Sequence, residues 1–572
     1  MSVPRAPGSR RSRMGRYGPL VGIVGVVLAV VVLATLPKGP ATEQSQPGTT
    51  GLVPEFRPVS FSEARAQRLE VEFGPGCDQV TGRIAIPSAF AAECFARRPG
   101  NGGATAQGVT AGTIRVVLYQ APPDPFIDSI LAVINANDTR QQLLDTYRGF
   151  VDIYQRYYET YGRRVELIPF TGNGGAADVV TARADAIRIA DEYAPFAVIG
   201  GPLLTSAFAE ELAARGIIQI DLASARPVRF YEEHAPFIWN TLQAPDQTAL
   251  HVIEYLAKRL AGRPAVHAGD PDLRAKTRRF GRFYFAPDEE ARALAAEFER
   301  KARDAGIEFA ASVAYLDPLS LQASAAQEIA KMKQAGVTTV LFTGDPLAPG
   351  PLTTEATAQH WFPEWIVTGS ALVDSTTFAR TYDQQQWAHA FGVSQLFARG
   401  LPEANFANGL WRWYYGCDPP AKNGSLTVYP SPTVLFSGIM AAGPMLTPQT
   451  FADGLFRAEP IGGGLTVPRV SFGYHGAWPE VDYTAIDDAV EIWWDATAQG
   501  PDERGVEGTG MYQYVDGGRR YLLGQWPESP PKAFDPEGAV TLYREVPPAD
   551  EPPSYPPPAD RGPESGGERC HV

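Results

Sequence analysis

The stretch VIGGPLLTSAFAEELAARG, residues 198–216, joins a short apolar strand to the start of an amphipathic helix. The strand ends in Gly200, Gly201 and Pro202, and two hydroxyl residues, Thr205 and Ser206, stand where the helix begins. Hydroxyl side chains are favoured at helix N-termini as caps, but a helix N-terminus that follows a strand can also bind a ligand. The stretch therefore predicts a strand–turn–helix unit of an α/β fold, and it leaves two roles open for the hydroxyls.

The flanking sequence alternates short apolar strands with amphipathic helices. Strands are predicted at 113–120, 164–170, 195–201 and 216–224, and helices at 140–162, at 177–193 and from Ser206 onward. In the helix at 140–162, apolar residues recur at helical spacing. This alternation predicts a parallel sheet that is covered by helices on both faces.

The same alternation restarts in the second half of the chain. Helices are predicted at 246–261, 289–305 and 321–335, and strands at 280–287, 307–316, 337–345 and 365–372. The sequence also predicts a hairpin over 511–526 that turns at Asp516 and Gly517. Because 572 residues exceed what one compact core holds, we expect two α/β lobes with a cleft between them.

The distribution of charge excludes one class of partner. The chain carries a net charge of −14, although residues 1–40 contain five arginines, one lysine and no acid. The rest of the chain is therefore strongly acidic. Nucleic-acid binding needs clustered Lys and Arg, so no nucleic-acid partner is expected.

The N-terminus predicts a membrane anchor. A basic segment, 1–19, precedes the uncharged apolar run LVGIVGVVLAVVVLATL at 20–36, which is at the short end of what crosses a bilayer. The basic side should remain cytoplasmic, so the rest of the chain would be extracytoplasmic. The alternative is a signal peptide whose cleavage would release a secreted protein. Residues 37–60 read as a flexible linker.

Cysteines and proline-rich segments indicate how the chain is arranged around the lobes. Cys77 and Cys94 enclose a short segment within an N-terminal extension, 61–107, and are predicted to form a disulfide, as exported proteins allow. Cys417 and Cys570 have no obvious pairing. Residues 531–572 are rich in proline and charge, which predicts a disordered tail.

Three segments, taken in order, resemble a known family. NGGATAQGVTAGTIRVVLY (101–119) is similar to the opening of the mature solute-binding proteins of branched-chain amino-acid ABC transporters. PFAVIGGPLLTSAFAEELAARGIIQIDLAS (195–224) and FIWNTLQAPDQTALHVIEYL (237–256) continue the likeness. It covers roughly residues 108–526, and the long actinobacterial versions also resemble this chain around CDQVTGRIAIPSAFAAEC.

The resemblance implies a type I periplasmic-binding-protein fold. Two Rossmann-like lobes, joined by three crossovers, would close around a small ligand. The first lobe would comprise residues 108–240 and 369–455, and the second lobe residues 241–368 and 456–530.

The resemblance also implies where a ligand binds. The loop that matches Leu204, Thr205 and Ser206 holds the ligand carboxylate in the family, together with a second loop that matches Ala223 and Ser224. Unpaired N–H groups and partial positive charge at a helix N-terminus suit that role. The alternative is that Ser206 only caps its helix.

The chain departs from the family in the second lobe. Amino-acid binders place an acid there for the ligand ammonium, but the matching region reads VTGSALVDS, with Ser370 and Ala371 at the expected position. Asp345, Asp374 and Asp288 are the nearest acidic substitutes, and each could instead be a solvated loop charge. An amino acid, an amide, a small organic acid or a peptide-like compound remains open as ligand.

Other candidate sites are weaker. Phe126 follows the first strand and either lines the cleft or packs beneath its loop. His267, Asp270 and Asp272 lie in a Gly/Pro-containing loop that favours a solvated turn over a metal site. The ten tryptophans lie between Trp239 and Trp526, and core packing is favoured over ligand stacking.

The sequence thus predicts a membrane-tethered, extracytoplasmic solute-binding protein that delivers an amino-acid-like or amide ligand to an ABC permease. We expect no cofactor and no metal. The first alternative is an envelope sensor or interaction protein with a degenerate cleft. An enzyme on the same scaffold is disfavoured, because the G-x-S-x-G, H-E-x-x-H and phosphate-loop motifs are absent from the sequence.

Overall fold

The computed structural model describes residues 56–134, 138–221, 226–401 and 405–559. The predicted cytoplasmic segment 1–19, the apolar run 20–36 and most of the linker 37–60 lie outside these ranges. Within the described residues, no helix has the length and apolar character that crossing a membrane requires.

The N-terminal extension packs along the first lobe as an arm. It contains the helix α1 (Phe61–Gln67), followed by isolated β-bridges. Cys77 and Cys94 form the predicted disulfide. Cys94 is buried in the same core as the first sheet, and the Ser88 hydroxyl lies 2.6 Å from that of Tyr429. Cys417 also takes part in a disulfide.

The first lobe contains a parallel five-stranded sheet, as the alternating pattern predicts. The strands, in the spatial order β2-β1-β3-β4-β5, are β1 (Thr113–Gln120), β2 (Arg164–Thr171), β3 (Ala197–Ile199), β4 (Ile218–Asp221) and β5 (Ile238–Asn240). The helices that follow α1 are α2 (Pro125–Val133), α3 (Arg140–Tyr157), α4 (Val179–Tyr193), α5 (Ala207–Ala214) and α6 (Val228–Glu233). Along β1, Val116 and Val117 enter the cores on opposite faces, so the sheet is buried on both sides.

The second lobe is built on a larger mixed sheet. Its strands, in the order β12-β11-β10-β9-β8-β6-β7 with β13 also paired to β11, are β6 (Phe280–Phe285), β7 (Phe309–Tyr315), β8 (Thr339–Thr343), β9 (Glu364–Val367), β10 (Ala390–Ser394), β11 (Asp488–Pro501), β12 (Glu507–Tyr514) and β13 (Arg520–Leu522). Its helices are α7 (Pro245–Tyr255), which continues as a π-helical turn (Leu256–Leu260), α8 (Pro271–Arg274), α9 (Glu289–Asp304), α10 (Leu321–Gln334), α11 (Pro349–Ala358), α12 (Thr376–Ala379) and α13 (Gln384–Trp387).

The chain then returns to the first lobe as four helices. These are α14 (Phe406–Tyr415), α15 (Ser425–Val428), α16 (Pro430–Ala442) and α17 (Pro448–Arg457). Residues 369–401 therefore belong with the second sheet, and not with the first lobe as the sequence suggested. The reason is β10, a fully buried strand that pairs in parallel with β9 and extends the second sheet. The chain passes from the first lobe to the second lobe for the last time just before β11, and not near residue 456 as expected. Tyr483 and Ala485 still pack in the first-lobe core, and β11 begins at Asp488.

Residues 511–526 do not form the predicted hairpin. Both β12 and β13 run antiparallel to β11, so the chain keeps its direction through Asp516 and Gly517. These two residues have φ values of 48° and 68°, as a tight hairpin turn would need, but they form a short 3₁₀ turn between two strands. The chain reverses between Pro501 and Glu507 instead.

The predicted disordered tail contacts both lobes over residues 531–559, which we call the C-terminal strap. In the second lobe, the Val540 and Tyr514 backbones exchange two hydrogen bonds of 2.8 and 3.0 Å. In the first lobe, Asp550 Oδ2 accepts hydrogen bonds from the backbone and hydroxyl of Thr466, at 2.7 and 2.8 Å. The strap therefore spans the two lobes in addition to the three crossovers. Residues 560–572 lie outside the described ranges.

Candidate functional site

The segments that follow β5 in the first sheet and β9 and β10 in the second sheet meet at the junction of the lobes. The Gln243 N–H, just after β5, donates to Gln395 Oε1 over 3.3 Å, and Gln395 lies just after β10. Gln395 Nε2 in turn donates to the Gly369 carbonyl, which follows β9, over 3.2 Å. Loops at the carboxyl ends of open α/β sheets are where such folds bind ligands. The candidate site is therefore the junction between these loops.

Two glycines shape the loop that follows β3. Gly200 has a φ of 79°, in the region that favours glycine. A Cβ on Gly201 would lie 2.6 Å from Gln219 Nε2, which donates to the Gly200 carbonyl over 3.0 Å. Gly200 therefore requires glycine for its backbone conformation, and Gly201 lets the Gln219 side chain approach the loop closely.

The hydroxyls of Thr205 and Ser206 stand at the start of α5, both partly exposed. Ser206 occupies the N-cap position but makes no side-chain capping hydrogen bond. Thr205 Oγ1 instead accepts from the Ala207 N–H over 3.3 Å. Helix capping alone therefore does not account for Ser206. The neighbouring Leu204 side chain is 39% exposed.

A buried ion pair that the sequence pattern does not reveal holds this loop against β4. Arg226, 4% exposed, donates to Asp221 Oδ2 over 2.9 Å and to the Thr205 carbonyl over 3.1 Å. Burial, with the charge of Asp221, raises the pKa of Tyr147, which reaches the same end of β4 from α3. In the sequence, Arg226 is marked only by the residue that follows it, Pro227, which stands at the start of α6. Ala223 and Ser224, the second predicted loop, lie outside the described residues.

Phe126 lies close to the Leu204 loop. It follows Asp124, the N-cap of α2, whose carboxylate accepts from the Phe126 N–H over 3.0 Å and from the Ala176 N–H over 2.9 Å. The Ala176 carbonyl accepts from the Leu204 N–H over 3.0 Å. The ends of β1, β2 and β3 are thus joined through Ala176, and Phe126 is partly exposed beside them.

The two predicted acids of the second lobe are occupied by their own chain. Asp345 accepts from the Tyr315 hydroxyl at 2.6 Å and from the Leu347 N–H at 2.8 Å, and burial raises its pKa. Asp374, 2% exposed, accepts from the Ser394 hydroxyl, and burial raises the pKa of Asp374 to about 6. Both carboxyls are internal to the second lobe.

The remaining candidates also have structural partners. Asp288 caps α9 by accepting from the Ala291 N–H over 2.8 Å. At the position where the family has its acid, Ser370 Oγ accepts from the Gly344 N–H over 3.2 Å. The next residue, Ala371, has a positive φ of 30°.

The His267 loop is packed against aromatic side chains. The imidazole of His267 lies 5.1 Å from the ring of Phe391 and 4.9 Å from that of Phe534. Asp270 caps α8 by accepting from the Asp272 N–H over 2.8 Å. In the ranges that the structure describes, no three His, Cys, Asp or Glu side chains converge as metal ligands would.

No family model matches the chain, and no curated protein sequence matches it. Some solved structures are similar to it. One is a solute-binding protein of an ABC transporter from Rhodopseudomonas palustris HaA2, in complex with p-hydroxybenzoic acid, at 10% identity, 73% coverage of this chain, 98% of that chain and a TM-score of 0.48.

Two further neighbours have similar statistics. A branched-chain amino-acid transporter substrate-binding protein from Streptococcus pneumoniae, in complex with isoleucine, is 14% identical, with coverages of 70% and 99% and a TM-score of 0.45. A type 1 periplasmic binding protein from Bordetella pertussis Tohama I is 15% identical, with coverages of 67% and 96% and a TM-score of 0.46. The structural neighbours are type I periplasmic binding proteins of ABC transporters.

Proposed function

We propose that this protein is a membrane-tethered, extracytoplasmic solute-binding protein that captures an amino-acid-like or amide ligand and presents it to an ABC permease. The observation that carries the proposal is the loop Gly200–Ser206 at the carboxyl end of β3. It is held in place by Arg226 and carries two partly exposed hydroxyls, of which that of Ser206 is not used as a cap. The basic and apolar segments at 1–36 support the tether and the extracytoplasmic location.

The proposed mechanism is closure of the two lobes around the ligand. A ligand that contacts both lobes stabilises the closed state by its differential affinity for that state. The crossovers after β5 and β10 supply the hinge. No step of chemistry is required of the chain.

A second candidate function is an envelope sensor or interaction protein with the same fold. The occupied carboxyls of Asp345 and Asp374 favour it, since they leave no free acid at either position to hold a ligand ammonium. The C-terminal strap favours it as well, because a segment that spans both lobes restricts their movement.

Thermal unfolding of the full-length chain in detergent, against a library of small metabolites, tests the proposal. A ligand at 100 times its dissociation constant adds about 2.7 kcal/mol of stability, which is visible as a melting shift. The shift should be lost in Ser206→Ala and retained in Ser320→Ala. Ser320 is the matched control, because it is also an N-cap serine without a capping bond, at the start of α10 after the edge strand β7. The absence of any shift across the library would favour the sensor.

A further inference from the structure

The first and last crossovers run side by side between the lobes. The first leads from β5 to α7, and the last leads from Tyr483 to β11. They are joined where they begin, because the Asn240 N–H, at the end of β5, donates to the Tyr483 carbonyl over 3.0 Å. Tyr483 packs in the first-lobe core, whereas α7 packs in a core of the second lobe. A change in the angle between the lobes therefore acts on these two segments.

One aspartate connects the two crossovers across the lobe boundary. Asp482, which directly precedes Tyr483, is 2% exposed, and its Oδ1 accepts from Gln247 Nε2 over 2.9 Å. Gln247 lies in the first turn of α7 and is itself buried. The Thr484 N–H donates to the same oxygen of Asp482 over 2.9 Å. The carboxyl therefore lies between the last crossover and the helix that follows the first.

The hydrogen bonds around this carboxyl require a proton on it. Thr484 Oγ1 lies 2.6 Å from Asp482 Oδ1 and 2.6 Å from Gln247 Oε1. A hydroxyl has one proton, and both of these oxygens are acceptors when the carboxyl is ionised. If Asp482 is protonated, it donates to Thr484 Oγ1, and the Thr484 hydroxyl donates to Gln247. Both short contacts are then hydrogen bonds, and neither is a repulsion between lone pairs.

An ionised Asp482 would also be a buried charge without a counter-ion. Its Oδ2 is buried and has no hydrogen-bond partner in the part of the chain that the structure describes. Burial raises the pKa of Asp482 to about 7, and the side chains that oppose this shift, those of Thr484, Gln247 and Trp478, are all neutral. Because a buried carboxylate without a positive partner is costly, the folded arrangement favours the protonated form.

The charged groups of the last crossover are engaged with each other. Burial, together with the charge of Asp482, raises the pKa of Asp487 to about 8. Arg469 lies 2.8 Å from Asp487, and Arg520 binds Asp488 at 2.8 Å. The neighbouring acid therefore disfavours the ionised form of Asp482, and the two arginines are paired with other carboxyls.

The charged groups at the start of α7 supply no counter-ion either. Burial lowers the pKa of His251 to about 4, so its imidazole is neutral at neutral pH. Asp246 is a further acid, and its carboxyl accepts from the Val228 N–H over 3.1 Å. Asp482 is thus approached by neutral donors and by acids.

We propose that the Asp482 carboxyl is a proton-binding site that couples the movement of the two lobes to pH. With the proton bound, Asp482 holds the last crossover against the start of α7 and restricts the hinge. Without the proton, the cost of the buried charge is relieved when Asp482 and Gln247 separate and water reaches the carboxylate. The lobes then move more freely. The inference concerns the hinge, so it goes beyond the proposed function and applies equally to a solute-binding protein and to a sensor.

The raised pKa determines the pH range. When the hinge contact is broken, the carboxyl is hydrated and titrates near about 4. The contribution of Asp482 to the contact is therefore complete below about pH 4 and is lost as pH rises through about 7. The contact should be held at pH 5 and released at pH 9.

Hydrogen–deuterium exchange of the full-length chain in detergent tests the inference at these two pH values. After correction for the intrinsic pH dependence of exchange, amides of residues 240–248 and 482–488 should lose at least about tenfold in protection at pH 9. Amides of β3 and β8 should keep theirs, because the cores of the lobes are not affected. Unchanged protection of the two crossover segments would overturn the inference. A loss that extends equally to β3 and β8 would overturn it as well, since it would report general unfolding.

A variant assigns the effect to one carboxyl. Asp482→Asn has nearly the same shape, keeps an acceptor oxygen and cannot ionise, so residues 482–488 should remain protected at pH 9. Asp374→Asn is the matched control. Asp374 is also 2% exposed, and burial raises its pKa to about 6, but it accepts from the Ser394 hydroxyl within the second lobe. This control should lose protection at pH 9 as the wild type does. The same loss in Asp482→Asn would overturn the assignment to Asp482.

A second variant tests the contact independently of charge. Gln247→Ala removes the second-lobe partner of Asp482, so residues 482–488 should be at least about tenfold less protected than in the wild type already at pH 5. Wild-type protection of Gln247→Ala at pH 5 would show that the contact does not hold the hinge. This measurement decides the inference even if Asp482→Asn does not fold.

Discussion

The indole N–H of Trp413 donates to the backbone carbonyl of Tyr555 over 2.8 Å, which fixes the C-terminal strap to the first lobe. The Tyr555 hydroxyl adds a bond of 2.9 Å to Asp78 in the N-terminal extension. The two ends of the described chain are therefore joined to each other and to α14. Toward the second lobe, Tyr543 is bonded to Arg399 and Leu401 through its backbone.

Removal of the Tyr555 side chain should loosen the strap. Tyr555→Ala deletes the hydrogen bond to Asp78 and should lower the free energy of unfolding by roughly 1–2 kcal/mol in urea titrations. The strap of this variant should also be cleaved faster in limited proteolysis. Tyr474→Ala is the control, because Tyr474 is 68% exposed. Equal stability of the two variants would contradict a role for the strap contact.

The contacts of the C-terminal strap explain why amino-acid composition was a poor guide to the structure of residues 531–559. Proline-rich, polar segments cannot fold alone, and from that rule the sequence predicted disorder over 531–572. A few large residues bind the segment to lobes that are already folded, among them Phe534, whose ring lies 5.2 Å from that of Trp493. Contacts at such sequence separations leave no local signal, so the prediction considered only what the segment does in isolation.

Buried aspartates at the last crossover should make stability depend on pH. Burial raises the pKa of Asp487 to about 8 and that of Asp482 to about 7. Asp487 lies near two other carboxyl groups, those of Asp482 and Asp488. The Ser471 hydroxyl donates to Asp487 Oδ2 over 2.7 Å, and Arg469 Nη1 lies 2.8 Å from the same oxygen. From α7, His251 contacts the Asp487 carbonyl at 3.3 Å, and Arg520 of β13 binds Asp488 at 2.8 Å.

The sign of the pH effect follows from the raised pKa. The folded state holds the proton of Asp487 more tightly than the unfolded chain, whose aspartate titrates near about 4. The stabilising contribution is therefore complete below about pH 4 and is lost as pH rises through about 8. Asp487→Asn should reduce the fall in unfolding free energy between pH 5 and pH 9, measured by urea titration. The exposed Asp304→Asn variant should follow the wild type, and a parallel profile for Asp487→Asn would refute the assignment.

The candidate site was predictable only where its signals were local. The Gly-Gly turn, the hydroxyls and the strand–helix boundary at residue 206 all lie within one short stretch, and the structure places them as expected. Arg226 was missed because its partners, Asp221 and the Thr205 carbonyl, come together only when β4 lies beside β3. The predicted return of the chain to the first lobe at residue 369 was wrong for a similar reason. β10 has only five residues, and its place in the sheet depends on pairing with β9.

The Cys77–Cys94 disulfide should contribute substantially to stability. It closes a loop with a sequence separation of 17, for which the chain-entropy model gives about 3 kcal/mol. Replacement of both cysteines by alanine should lower the unfolding free energy by about that amount. Substitution is preferable to a reducing agent, because Cys417 is also disulfide-bonded. A loss below about 1 kcal/mol would show that the arm is held mainly by its packing on the first lobe.

Substitutions of Ser206 and Thr205 should differ in their effect on the stability of the unliganded protein. Because Ser206 makes no capping bond, Ser206→Ala should change the stability of the unliganded protein by less than about 0.5 kcal/mol. Thr205→Ala removes the acceptor of the Ala207 N–H and should cost about 1 kcal/mol. Thermal unfolding without ligand makes the comparison. A larger loss for Ser206→Ala than for Thr205→Ala would mean that Ser206 acts as the cap after all.

The packing of α14 on α3 should depend on one glycine. A Cβ on Gly149, in α3, would lie 2.2 Å from the Trp411 ring, and Trp411 is fully buried in the first-lobe core. Glycine-to-alanine changes inside helices normally stabilise by up to about 1 kcal/mol. Gly149→Ala should instead destabilise by roughly 1–3 kcal/mol, since the ring has to move within a close-packed core.

A second glycine, in α14 itself, provides the control for that prediction. Gly409 has no atom within 4 Å of the position a Cβ would take, so Gly409→Ala should stabilise or leave stability unchanged. Opposite signs for the two variants in urea titrations would confirm that the indole of Trp411 occupies the space at Gly149. A stabilising effect of both would mean that α14 lies further from α3 than the structure places it, and that the helices returning to the first lobe pack loosely.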